Sequence, residues 1–255
     1  MLTLSLEELK LNPPLMSSDS PLHISRWLLS ALGTRMFLYH ADLVPQDSAV
    51  LLVSNHRSFM DAPVLMAAVN RPIRFACHHY MDQVPVMREM VKLLGCFPLD
   101  SLENRQKSFF RQAGKLLESP QVIGVFPEGG EPMVQTTHPQ KTREFHRGFA
   151  HLALRTPIRN LAVLPVAIAS CEESNSAGVP LKLLSLIDPS EPLFDQNGWH
   201  PLVIYHRVNV LIGRPYWVKD SERQHYRGKD AKTVVADLTN YCHTQIDQLL
   251  AQGCY

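Results

Sequence analysis

The chain has 255 residues, 45% of them hydrophobic, and a formal charge of +1. That supports one large domain or two small ones with a proper core, and the near-neutral balance argues against nucleic-acid binding, whose affinity comes from phosphate neutralisation. Five scattered cysteines without a C-x-x-C pair argue against a disulfide scaffold or zinc ribbon and fit a reducing, cytosolic compartment.

The first residues carry Glu7, Glu8, Pro13 and Pro14, so no secretory signal is expected. No apolar run is long enough to span a bilayer. Residues 22–39, rich in large apolar groups with Trp27 among them, predict one N-terminal apolar helix. It either docks on the core or lies in a membrane interface. Arg26 and Arg35, on opposite sides of such a helix, weaken the second reading.

From residue 49 the chain alternates. Residues 49–55 read as a fully buried strand, 61–69 as helix, 73–78 as strand, 86–95 as helix and 104–118 as helix. Residues 121–130 read as a strand entering a glycine turn, 148–156 as helix, 161–169 and 208–218 as strands, and 231–251 as an amphipathic helix. Residues 170–180 and 188–201 look like surface loops. This order predicts an α/β fold, with a largely parallel or mixed sheet flanked by helices. No linker divides the chain, so the organisation expected is an N-terminal segment, 1–40, followed by one domain, 41–255.

Two strand exits carry the chemistry. His56 and Asp61 are five apart, a spacing that puts them on different faces of any straight helix or strand. The spacing alone is cheap: twelve histidines and twelve aspartates give about half a match by chance. His225 and Asp230 share it, in a polar stretch read as surface loop. The first pair has context. A buried strand ends at Asn55–His56, and Ser58 and Asp61 form a Ser-x-x-Asp pattern that can start a helix. The chain turns between them, where open α/β sheets carry their sites. Asp61 is then either a capping carboxylate alone or half of a dyad in which it orients a histidine base. The second exit, Phe126-Pro127-Glu128-Gly129-Gly130, offers a carboxylate and glycines that let a ligand approach closely; its plainer reading is a turn with a solvated glutamate.

Together, Asn55-His56-x-x-x-x-Asp61 and Phe126-Pro127-Glu128-Gly129 resemble the glycerolipid acyltransferases of the lysophosphatidic acid acyltransferase type. "GCFPLD" at 95–100, "FHRGFAHLAL" at 145–154, "VLPVAI" at 163–168 and "VLIGRP" at 210–215 follow that family's order. The resemblance implies a peripheral enzyme on the cytoplasmic side of a membrane. It would move a fatty acyl chain from a thioester of coenzyme A or acyl carrier protein to the hydroxyl of a lysophospholipid or glycerol-phosphate type acceptor, without a further cofactor. His56 would be general base and Asp61 its orienting carboxylate. Amides near 58–61 would hold the oxyanion, and Glu128 and Gly129 would line the acceptor pocket.

Two departures touch the acceptor. The third block continues Gly130-Glu131-Pro132 where the family usually has Thr-Arg-Ser, and Ser101 stands where the second block usually has arginine. Arg105, and Lys141 in the basic run 141–159, are the substitute cations expected. An uncharged or zwitterionic lipid alcohol is the alternative acceptor, and an idle relative that only binds lipid or acyl carrier is the rival of another class. Cys77, His78 and His79 are adjacent, but consecutive residues ligate one ion poorly, and no metal is expected.

Overall fold

A computed structural model describes residues 20–77, 81, 85–100, 104–135, 137–187, 189 and 191–253. Among these, eight strands form one sheet: β1 (Arg35–Tyr39), β2 (Ala49–Ser54), β3 (Ile73–Cys77), β4 (Phe97–Pro98), β5 (Val122–Val125), β6 (Leu161–Pro180), β7 (Trp199–Ile212) and β8 (Tyr216–Trp217). Their order is β1-β7-β6-β2-β5-β3-β4, with β8 beside the start of β6. Strands β2 to β6 pair in parallel, while β7 and β8 run antiparallel to β6, so the sheet is mixed. The helices are α1 (Ser20–Ala31), α2 (Asp61–Val69), α3 (Pro85–Leu93), α4 (Arg105–Leu117), α5 (Glu131–Val134), α6 (Gly148–Arg155), α7 (Leu181–Ile187), α8 (Asp220–Arg227) and α9 (Ala231–Gly253).

The sheet has an apolar cluster on each face. Ala49, Leu51 and Val53 of β2 pack into one, with side chains of α4, α6 and α9; Val50 and Leu52 pack into the other, with α1 and α2. Successive strand residues face opposite sides, so a strand covered on both reads as an unbroken apolar run.

The central pairing positions the site. Val53 of β2 stands beside Val125 of β5, and both strands leave the sheet at the same end. From β2 the chain crosses by α2, on the second cluster's face, to β3; from β5 it crosses by α6, on the first cluster's face, to β6. Adjacent strands whose connections diverge leave a crevice at their carboxyl ends.

Three expectations are corrected. Residues 22–39 are not one helix: α1 stops at Ala31, Gly33 takes φ +67°, and its N–H and that of Thr34 return to Ser30 and Leu29 carbonyls, a Schellman ending. The remainder becomes β1, parallel to β7. Leu22, Ser25 and Leu29 are buried, while Trp27 is exposed. Residues 170–180 are no loop but the outer half of β6, paired with β7, which itself begins at Trp199 within the other expected loop. His225 lies on α8 rather than in a loop. Among the described residues, no helix is long and apolar enough to cross a membrane.

Candidate active site

His56 and Asp61 meet. The chain leaves β2 at Ser54, turns, and enters α2 at Asp61, so that His56 Nδ1 lies 2.8 Å from Asp61 Oδ2. The same oxygen accepts the Arg57 N–H at 2.6 Å and the Ser58 N–H at 2.8 Å. Oδ1 accepts the Tyr205 O–H at 2.8 Å. Asp61 is wholly buried, and four donors replace the water its carboxylate has lost. Because a carboxylate only accepts, the proton of a neutral His56 sits on Nδ1, and Nε2 carries the free lone pair. The imidazole stacks on Phe126 at 4.0 Å and 10°, and Phe126 on Phe75 at 5.1 Å and 6°, which fixes the plane of the ring.

Glu128 joins the two strand exits. His56 lies three residues beyond Val53 and Glu128 three beyond Val125, so the pairing of β2 with β5 carries them out together. Glu128 Oε1 accepts the His56 N–H at 3.0 Å and Oε2 the Arg143 N–H at 2.7 Å. Burial pushes its carboxyl above the ordinary range, and those two N–H groups pull it part of the way back. The solvated glutamate of the plainer reading is thus a buried link. Gly129 follows at φ +74°, a conformation that other residues rarely adopt, and its N–H closes the turn onto the Phe126 carbonyl at 3.1 Å.

The expected cations divide. Arg105, at the start of α4, pairs with the buried Glu191 at 2.9 Å. Lys141 is exposed, and among the described residues it has no ion pair; it lies two residues before Arg143, whose N–H binds Glu128. Glu131 is not an open negative charge, because Arg143 holds it at 2.6 Å. Ser101, His78 and His79 lie outside the described residues. Three of the amides expected at the oxyanion are already engaged: Ser58 N–H on Asp61, Met60 N–H on Ser58 Oγ, and Asp61 N–H on the Ser58 carbonyl. Among the described residues, no group of three His, Cys, Asp or Glu is placed to hold a metal ion.

A family model described as Acyltransferase matches residues 35–169, more than half of the chain and both strand exits. The chain belongs to this acyltransferase family. An uncharacterized protein of Mycobacterium tuberculosis is 26% identical over 225 residues, 81% of this chain and 58% of its own length. The 1-acyl-sn-glycerol-3-phosphate acyltransferase of Borreliella burgdorferi is 24% identical over 146 residues, 57% of this chain and 54% of its own. The chain therefore spans a little over half the length of these curated relatives. The crystal structure of the 1-acyl-sn-glycerophosphate (LPA) acyltransferase PlsC from Thermotoga maritima superposes with a TM-score of 0.60 at 18% identity, over 92% of this chain and 78% of that one. This likeness is one of fold.

Around the His56–Asp61 pair stand residues that no sequence motif marks. Arg57, between the two motif residues, is buried and binds both oxygens of Glu173 on β6, at 2.7 and 2.8 Å; its Nε donates to the Thr137 carbonyl at 3.0 Å. Ser58 Oγ donates to the Val203 carbonyl at 2.6 Å, and Tyr205 N–H reaches Met60 Sδ at 3.2 Å. The turn carrying the dyad is thus fastened to both strands of the β6–β7 hairpin. A tyrosine in the apolar stretch 202–212 was the available signal, since a buried phenol needs a partner.

Proposed function

We propose that this protein transfers a fatty acyl chain from an acyl thioester to the hydroxyl of a glycerophospholipid-type acceptor, with His56 as general base. The observation that carries this is the His56 Nδ1 bond to a buried Asp61 with four donors, which leaves Nε2 to take a proton. Nε2 accepts the proton of the acceptor hydroxyl as its oxygen bonds to the thioester carbonyl carbon. The C–S bond then breaks, and the leaving thiolate takes the proton from the imidazolium, giving an ester and a free thiol. Asp61 stabilises the imidazolium in between. Holding both reactants in the crevice makes a bimolecular step effectively unimolecular. The donor is coenzyme A or acyl carrier protein thioester, and the enzyme works peripherally, at the cytoplasmic side of a membrane.

For the acceptor phosphate, Lys141 is an exposed cation two residues before Arg143, whose N–H binds Glu128, while Arg105 is shared with Glu191. A panel with one acyl donor and several acceptors tests the reading. The expected result is ester formation on lysophosphatidic acid, with Lys141→Ala raising KM for phosphate-bearing acceptors. Acylation of a neutral lipid alcohol with refusal of lysophosphatidic acid would overturn the acceptor, and release of free acid alone would make the protein a hydrolase.

A further inference from the structure

Beyond Glu172 the strands β6 and β7 pair, among the described residues, only with each other, and form an arm. Helix α7 and the 3₁₀ turn Pro192–Phe194 close its tip. Helix α7 reads LKLLSLI, apolar on two sides. Leu181 and Leu184 face inward, in a cluster with Phe194, Leu193 and Val134. Leu186 and Leu183 face outward, 77% and 52% exposed. Trp199, 56% exposed, stands opposite Pro180, the residue before α7, and adjoins this face; Leu202, three residues further along β7, is on the other side of the strand. Packing accounts for the inner side of this helix and not for the outer one.

The patch borders the acyltransferase site. Val134, in the short helix after Gly129 and Gly130, belongs to the same cluster as Leu181 and Leu184. A side chain at Gly130 would come within 3.3 Å of Leu193. His200, next to Trp199, is held below its ordinary range chiefly by burial, with a smaller push from His56. Helix α7 carries one charged side chain, the exposed Lys182; of the carboxylates between it and Trp199, which are Asp188, Glu191 and Asp195, Glu191 is paired with Arg105. Exposed leucines, a tryptophan at the rim and a lone lysine suit the boundary between headgroups and acyl chains. Another exposed apolar group, on β1, lacks that character: Arg207 covers Phe37, and Glu172 pairs with Arg35.

We propose that the outer face of α7, with Trp199, rests on a lipid bilayer and presents the adjoining crevice to acceptors held in the membrane. This deepens, and rests on, the acyltransferase reading above.

The test compares wild type, Leu186→Asp combined with Trp199→Ser, and Leu186→Ser alone as the milder change. Binding is read by co-sedimentation with vesicles of phosphatidylcholine and phosphatidylglycerol. Transfer from acyl-CoA is read on a short-chain lysophosphatidate below its micellar concentration and on a long-chain one in the vesicles. The double variant should bind vesicles at least about tenfold more weakly and lose transfer to the embedded acceptor, yet keep transfer to the dissolved one. Unchanged vesicle binding overturns the proposal. So does lost transfer to the dissolved acceptor by a folded variant, which would put the patch in the substrate pocket, and so does a wild-type dimer that the variant dissociates. Should wild type transfer to neither acceptor, the acyltransferase reading fails, while the sedimentation arm still decides the docking surface.

Discussion

Tyr205 and Asp61 stand 144 residues apart in the chain, and the phenol donates to Oδ1 across 2.8 Å. Burial, with the Asp61 carboxylate beside it, holds the phenol well above its ordinary range, so it stays protonated and donates throughout the working pH range. Tyr205→Phe keeps the ring and removes the donor. A buried oxygen left short of a partner costs about 1–3 kcal/mol, which lowers the melting temperature by roughly 2–10 °C. As a positioning residue, Tyr205 should also affect the reaction below that temperature: kcat should fall about tenfold with KM little changed. A loss of stability with kcat intact would leave Tyr205 a core residue only.

The dyad gives a stronger prediction. His56→Ala should lower transfer by about 10²–10⁴ while circular dichroism stays unchanged, because the ring is only partly buried and the backbone contacts remain. Asp61→Asn should fold as well. Its amide oxygen can accept the Arg57 and Ser58 N–H groups, and its NH₂ can face Tyr205, whose hydroxyl turns to accept. What it lacks is the charge opposite the imidazolium, and transfer should fall by a similar factor. Normal transfer by folded His56→Ala would remove the general base from the mechanism.

What the sequence disclosed follows from how local each feature is. The run 49–54 and the Ser58-x-x-Asp61 pattern lie within one strand and one helical turn, so the bend that joins His56 to Asp61 was legible. The bond from His56 N–H to Glu128 was not, because it depends on β5 pairing with β2, which no local pattern encodes. Arg57 gave no sign of burial, since its partner Glu173 sits on a segment read as loop. That misreading was compositional: Ser170 to Gly178 carries turn-forming residues, yet pairing with β7 satisfies its backbone whatever the side chains. At the other end, large apolar side chains outweighed Gly33, the one residue that marked where α1 stops.

The pH dependence of stability should expose Glu128. Its folded pKa is raised, chiefly by burial, so between the ordinary value near 4.5 and the raised one the folded state binds more protons than the unfolded. Stability from this group therefore falls as pH rises through that window and stays reduced above it. Glu128→Gln removes the titration and adds a constant loss at the Arg143 N–H. The melting temperature of wild type relative to Glu128→Gln should be highest below about pH 4.5 and decline as pH rises. A flat difference would mean that burial does not penalise the charge.

The Arg57–Glu173 pair should titrate the opposite way. Burial raises the Glu173 carboxyl, but the bonds and charge of Arg57 outweigh it and hold the folded pKa low. Its contribution is therefore present above the unfolded value and lost as pH falls through the folded one. Glu173→Gln leaves the Arg57 guanidinium, buried, without its counter-charge, at a cost of about 3–5 kcal/mol at neutral pH. That cost should shrink in acid, where wild type loses the same charge. Arg57→Lys, which cannot make the two-pronged contact, should loosen the turn that carries His56, and kcat should drop while the fold persists. If urea titrations at pH 7 and pH 3 give the same difference between wild type and Glu173→Gln, the pair contributes through packing alone, and the hairpin is held to the dyad by Tyr205 and Ser58.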